Sequence, residues 1–237
     1  MSQYRKKVPI KDWPEEERPR ERLHRYGPES LSDAQLLAIL LRTGHTRKSA
    51  LDVAMDLLSR YRNLRELSRT VISGICVVPG IGRAKAAQIA AAMELGKRIQ
   101  AFPLKEGDII RGSRDIYEAC HPTMRDLKKE VFRVVLLNGK NRVIRTETVS
   151  QGSLTTCLVH PREVFAPAVR ESSASVLLIH NHPSGDPTPS REDIEMNQRL
   201  IQAGELIGIR VLDHLVIGDG RYISFVDQGL MESAHPL

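Results

Sequence analysis

Two histidines two residues apart, then seven residues, then a serine and an aspartate spaced Ser-x-x-Asp, are the side chains of this 237-residue sequence best suited to metal chemistry. His180 and His182 project to one side of an extended chain, so both rings can reach one cation. The run Val176, Leu177, Leu178, Ile179 before them is apolar and partly β-branched, and reads as a buried strand ending at His180. Pro183, Gly185, Pro187 and Pro189 then forbid regular structure, and Ser190, Arg191, Glu192 and Asp193 look like the entry to a helix. A strand end and a helix start therefore face each other across a stiff loop. Two neutral imidazoles and one carboxylate suit a borderline metal such as zinc, with the fourth tetrahedral position left for water. Ser190 and Asp193 taken alone also read as an N-cap and a first-turn acid, a purely structural arrangement.

The complete spacing decides between these readings, because it resembles the JAMM motif of the JAB/MPN metalloprotease family. That resemblance implies one zinc ion per chain held by His180, His182 and Asp193. It also implies that Ser190 stabilises an oxyanion, an effect typically worth roughly 3 kcal/mol. In such proteins a glutamate at the start of a strand accepts the proton of the water that the metal acidifies. Glu130 matches that place in the order of elements. It opens the β-rich run 130–138 and shares a two-residue period with Phe132, Val134 and Leu136, so its carboxyl is expected at the rim of an apolar surface. Partial burial would raise its pKa toward the range useful for proton transfer. Glu147, Glu171 and Glu192 are the rival acids, and an exposed strand-end acid beside Lys128 and Lys129 is the bland alternative.

The elements that must position these groups follow from pattern. Asn138-Gly139 between residues 130–138 and 142–149 signals a hairpin, Pro161 can start a helix, and residues 210–217 and 221–225 form another strand pair. Short helices are expected over 113–120 and 124–129, and Gly204 is expected to end the helix that Ser190 begins. The outcome is an α/β chain whose second part, 111–237, is a mixed sheet with packed helices.

The first part, residues 1–101, reads as all helical, with a linker over 102–110 where Pro103 and Gly107 break the pattern. After a polar leader, Ser32 with Gln35 caps one helix, and further helices are expected over about 49–59 and 63–67. Pro79-Gly80-Ile81-Gly82-Arg83-Ala84-Lys85 then precedes an Ala-rich helix. Two glycines let the backbone approach a ligand closely, and a helix start offers free amides. The pattern resembles the second half of a helix-hairpin-helix, which grips DNA backbone without reading sequence. On that reading Gly80, Ile81, Gly82, Arg83 and Lys85 would contact phosphate. A Gly-x-Gly turn can equally serve as a packing hairpin or a protein contact.

Charge divides the same way. Residues 1–105 carry 20 Lys and Arg against 11 Asp and Glu, and residues 106–237 carry 15 against 18. A basic half joined to a mildly acidic half suggests two modules with different partners, nucleic acid among the candidates, although a charge run alone is usually a solvated face. A protein or peptide substrate is what the metalloprotease resemblance implies. No apolar run approaches a membrane span and the N-terminus has no export signal, so a cytoplasmic protein with no membrane partner is expected. Cys76, Cys120 and Cys157 are odd in number and lack a Cys-x-x-Cys pair, which argues for reduced, mostly structural thiols.

Over nearly everything after the leader the sequence resembles the bacterial RadC-like (UPF0758) family. The matching phrases are LSDAQLLAILLRTG from Leu31, PGIGRAKAAQIAAAMELG from Pro79, IHNHPSGDP from Ile179 and VLDHLVIG from Val211. The resemblance implies a helix-hairpin-helix-like domain followed by an MPN domain with a complete metal motif. The family is often labelled as DNA repair, yet no nuclease carboxylate cluster and no Walker loop are visible. Two functions remain in play. One is a zinc metallopeptidase cleaving an amide or isopeptide bond; the other is a DNA-associated protein whose MPN domain mediates contacts. Asp213 and His214, within the last phrase, have no role assigned by the sequence: partners that support the metal ligands and a plain structural pair are both open.

Overall fold

A computed structural model describes residues 9–46, 48–152 and 159–231. It divides into two units, residues 1–96 and 97–237.

The first unit is helical: α1 (Pro19–Tyr26), α2 (Asp33–Leu41), α3 (Ala50–Tyr61), α4 (Leu64–Ser68), α5 (Ile72–Ile75) and the start of α6 (Arg83–Gln100). Helix α1 departs from the expectation of a polar leader: the stretch is helical, with Pro19 at its first position and Gly27 after its end. Capping boxes set the starts of α2, at Ser32 with Gln35, and α3, at Ser49 with Asp52. Leu37, Leu41, Val53, Leu57, Leu67, Ile75, Ile81 and Ile89 make one core. Gly80, at φ +91°, lets the turn before α6 lie against the α2–α3 connection and α3, since a Cβ there would sit 2.7 Å from His45 Cβ and 3.3 Å from Val53 Cγ2.

The second unit holds α7 (Ser113–Met124), β1 (Val131–Leu137), β2 (Val143–Gln151), α8 (Pro161–Arg170), β3 (Ser175–Asn181), α9 (Arg191–Ile207), β4 (Arg210–Ile217) and β5 (Tyr222–Ser224). The five strands form one mixed sheet in the order β2-β1-β3-β4-β5, in which only β3 and β4 run parallel. Period-two alternation sends Val135, Leu137, Leu177 and Ile179 to one face, against Ile116, Cys120 and Met124 of α7. Phe132, Val134, Leu136, Val176 and Leu178 go to the other face, against Val164 and Phe165 of α8 and Met196 and Leu200 of α9. With a helix layer on each side, β3 is buried along its whole length.

Three local expectations are corrected. The helix expected over 124–129 does not form; α7 ends at Met124 and turns lead to β1. Gly204 does not end α9. It is buried within that helix because an added Cβ would meet Ile209 O at 2.4 Å and Phe165 Cζ at 3.1 Å, and Gly208 supplies the left-handed cap instead. Residues 107–110, expected as linker, are bound into the second unit: Gly107 N donates to Val143 O, Ile110 N donates to Asn141 O, and Ile110 joins the α7-side core.

Candidate metal centre

His180 is the sixth residue of β3 and shares the alternation of Val176 and Leu178, so its ring lies on the face that α9 covers. Helix α9 buries Met196, Asn197, Leu200 and Gly204, a stripe at helical spacing. Asp193 lies one turn before Asn197 on that stripe, which aims its carboxylate at the strand end. His182 follows the strand, and its backbone N–H donates to Ile217 O of β4. Behind it, the Asp219 N–H donates to Gly185 O, and a Cβ on Gly218 would sit 2.6 Å from Pro187 Cδ. The proline-rich loop is thus packed onto the β4–β5 turn and holds His182 in place.

His180, His182 and Asp193 are the group of three that could hold a metal ion among the described residues. Nε2 of His180 lies 3.0 Å from Nε2 of His182, and Asp193 oxygens lie 3.4 Å from each ring. In a tetrahedral zinc site with N and O ligands at about 2.0–2.1 Å, neighbouring ligand atoms are separated by about 3.3 Å. The two 3.4 Å contacts are to different oxygens, Oδ1 for His180 and Oδ2 for His182, and one donor atom from each of the three residues lies within 4.8 Å of the others, so the donor set fits such a metal in chemistry and brings its atoms close to that spacing.

The electrostatics agree. Burial pushes His180 down to about 4, and the neighbouring Asp193 charge only partly offsets this, so the ring is neutral near pH 7. Burial also opposes charge on His182, but its bonds to Asp193 and to the Asp186 carbonyl outweigh burial and raise its pKa. Burial opposes charge on Asp193, yet its bonds to His182 and Ser190 and the close His180 ring outweigh burial and hold it well below the usual carboxylate range. His182 Nδ1 lies 2.8 Å from the Asp186 carbonyl, which can only accept, so that nitrogen carries a proton; Nε2 is the nitrogen that faces Asp193, and once the ring is neutral its lone pair is the one open to a cation.

Ser190 combines both sequence readings of its position. Its backbone N–H and its hydroxyl donate to Asp193 Oδ2 at 2.7 and 2.6 Å, and its oxygen accepts the Asp193 N–H, a reciprocal capping box. The hydroxyl hydrogen therefore orients Asp193; donating to a developing oxyanion requires it to rotate away.

Glu130 sits one residue before β1, half-buried. Burial raises its pKa, the charge of His182 lowers it and that of Asp193 raises it, so it lies within electrostatic range of both. Two rivals are engaged elsewhere: Glu147 and Glu171 both pair with Arg145. Glu130 is held by a residue that sequence reasoning missed. Asn181, fully buried between the two histidines, accepts the Val131 N–H through Oδ1 at 2.9 Å and donates through Nδ2 to Lys129 O at 3.2 Å. The Glu130 carbonyl accepts the Gly152 N–H. A polar residue in a run that must be buried on both faces was the available signal for Asn181.

His214, whose role the sequence leaves open, lies against the cluster. It is 0 % exposed and its Nε2 lies 2.8 Å from His180 Nδ1. Its neighbour Asp213 has a structural task, accepting from the His214 N–H, the Ser224 hydroxyl and the Val226 N–H, which ties β5 to β4.

At the turn before α6, Gly82 and Arg83 are exposed, whereas Ile81 is a core residue whose N–H donates to Val78 O. Lys85 differs from its expected role as a phosphate contact. Its ammonium donates to the carbonyls of Thr43, Gly44 and Gly80, at 2.6, 3.1 and 3.0 Å, and so ties two turns together. Cys120 is buried, which pushes its thiol up to about 11, Cys76 is half-buried, and both are free; Cys157 lies outside the described residues. No helix among the described residues is long and apolar enough to cross a membrane.

Comparison with known proteins agrees with this architecture. Residues 110–230 match the model of the RadC-like JAB domain, and residues 10–87 match the UPF0758 N-terminal model. A UPF0758 protein of Trichlorobacter lovleyi is 54% identical over 225 residues, covering 94% of this chain and 98% of that relative. Those of Pelobacter propionicus and Methanosarcina mazei are 51% and 50% identical, covering 94% and 95% of this chain and 98% of each relative. The chain therefore belongs to the UPF0758 family, with a helical N-terminal region and a RadC-like JAB domain that carries the His180, His182 and Asp193 cluster.

Proposed function

We propose that the chain is a zinc-dependent peptidase that cleaves an amide or isopeptide bond. The observation that carries this reading is the convergence of two imidazoles and a carboxylate, with donor atoms within 4.8 Å of one another, in electrostatic range of a half-buried glutamate. Zinc held by His180, His182 and Asp193 would act as a Lewis acid, making water acidic near neutral pH and polarising a carbonyl. Glu130, its carboxyl shifted upward by burial, takes a proton from water and returns it to the leaving amine nitrogen. Ser190 keeps Asp193 oriented, and its hydroxyl, once rotated, donates to the developing oxyanion. Asn181 holds the backbone on both sides of Glu130 so that the carboxylate stays at the site.

The test is metal analysis of the purified chain followed by comparison of cleaved proteins in cells carrying the parent or Glu130→Gln. We expect close to one zinc per chain, its loss in His180→Ala/His182→Ala, and cleavage products that require Glu130. Stoichiometric zinc in the double variant, or identical cleavage with Glu130→Gln, would end the reading.

A second reading concerns the basic first unit, and rests on Gly82 and Arg83 being exposed at the start of the 18-residue α6. We infer weak duplex binding without sequence preference through backbone amides there and Arg83, with a salt slope of about −2 to −4. Arg83→Ala should flatten that slope; Lys85→Ala should instead loosen the unit. Absence of salt-dependent binding at low ionic strength leaves a packing or protein-contact hairpin.

A further inference from the structure

His214 is placed by an irregularity in β4. Strands β3 and β4 pair Val176 with Val211 but Leu177 with Asp213, so β4 carries one extra residue at Leu212. In a parallel pair, neighbours across the ladder share a face, and a one-residue slip exchanges the faces. Val211 packs on the α9 side, so without the slip His214 would point to the α7 side. With it, His214 pairs with Leu178 and shares the face of His180. There the ring stacks on Phe225 at 4.6 Å between centroids and meets Phe132 edge-on at 5.5 Å. An imidazole enclosed by aromatic rings makes one polar contact, Nε2 to His180 Nδ1 at 2.8 Å, while its Nδ1 is buried without a hydrogen-bond partner.

One proton lies in that contact, and its position decides whether His180 can ligate. If His214 Nε2 donates, His180 Nδ1 is the acceptor and the neutral His180 ring carries its single N–H proton on Nε2, which then has no lone pair for a metal. If His180 Nδ1 donates, Nε2 is free, and neutral His214 carries its proton on the unpartnered Nδ1. We propose that His214 is a positioning residue for the metal centre: by accepting from His180 Nδ1 it holds that ring in the tautomer and orientation that present Nε2 to the cation. The aromatic walls fix the His214 ring plane, and the slip in β4 puts it on the right face. The proposal rests on the reading of the cluster as a zinc site and adds a residue to it.

The test measures zinc affinity of the full chain by competition with a chromophoric chelator. His214→Phe keeps an aromatic ring in the aromatic pocket and removes only the acceptor; losing such an orienting partner typically weakens metal binding by about 10–100-fold. His214→Gln places an amide oxygen where Nε2 was and should recover most of that loss, which a filler role would not produce. In the zinc-loaded parent, nitrogen-15 NMR of the histidines should show His214 protonated on Nδ1 and bare on Nε2, a readout that needs no variant to fold. Affinity of His214→Phe within twofold of the parent, while His180→Ala loses zinc, overturns the role of His214 and leaves the zinc reading intact. So does a proton found on His214 Nε2 in the loaded protein. A parent chain that takes up no zinc removes the underlying reading, and this proposal with it.

Discussion

Replacing Asn181 by Ala tests whether one amide holds the glutamate to the metal cluster. The Val131 N–H would be left without its acceptor in a fully buried position, at a cost of about 1–3 kcal/mol, and the bond to Lys129 O would forfeit about 0.5–1.5 kcal/mol more. Together these amount to roughly 2–4 kcal/mol. With a urea dependence of about 1–3 kcal/mol per molar, the unfolding midpoint of the second unit should fall by roughly 1–2 M. Hydrogen exchange localises the effect: the Val131 amide should lose protection first, and the Gly152 amide, which donates to Glu130 O, should follow. Zinc binding should survive, since none of the three donors is touched, whereas turnover that depends on Glu130 should drop. A midpoint shifted by less than about 0.3 M, with Val131 exchange unchanged, would refute the clamp.

Acid should destabilise the metal-free chain through His180. Its folded pKa of about 4 lies below the ordinary 6.5, so an unfolded chain binds a proton that the fold refuses. The contribution is complete above about pH 6.5 and is lost as pH falls toward 4, by roughly 3 kcal/mol for this group. His182, shifted upward, acts in the opposite sense, contributing stability at low pH that is lost as pH rises through its folded value. Urea midpoints of the parent and His180→Gln between pH 7 and about 4.5 isolate the first effect, and parallel curves would contradict it. Ser190→Ala should cost about 1 kcal/mol as a lost cap and weaken zinc binding, because Asp193 loses the hydroxyl that orients it; unchanged affinity would limit Ser190 to capping. Gly204→Ala, despite the better helix propensity of alanine, should destabilise by about 1–3 kcal/mol through the clash with Ile209 O, and a neutral thermal melt would argue against it.

The sequence by itself determined the helical first part, the mixed-sheet second part and the ligand-bearing stretch. Those signals are local. Alternation along residues 176–180 gives a buried strand ending in a histidine, prolines break it, and Ser190 with Asp193 starts a helix on whichever face is apolar. The same locality explains where reading along the chain stopped. Gly204 looks like a helix end in one dimension, and only the approach of Phe165 and Ile209 O makes it a packing glycine. Lys85 looks like a phosphate contact until three carbonyls from two separate turns converge on it. Asn181 bonds residues about fifty positions earlier, and His214 reaches His180 only because β4 slips by one residue against β3. A register slip leaves no periodic trace that would reveal it, yet it reverses the face of every side chain beyond it. The candidate cluster was therefore legible from spacing, while the placement of Asn181 next to Glu130 and of His214 against His180 was decided by the pairing of distant strands.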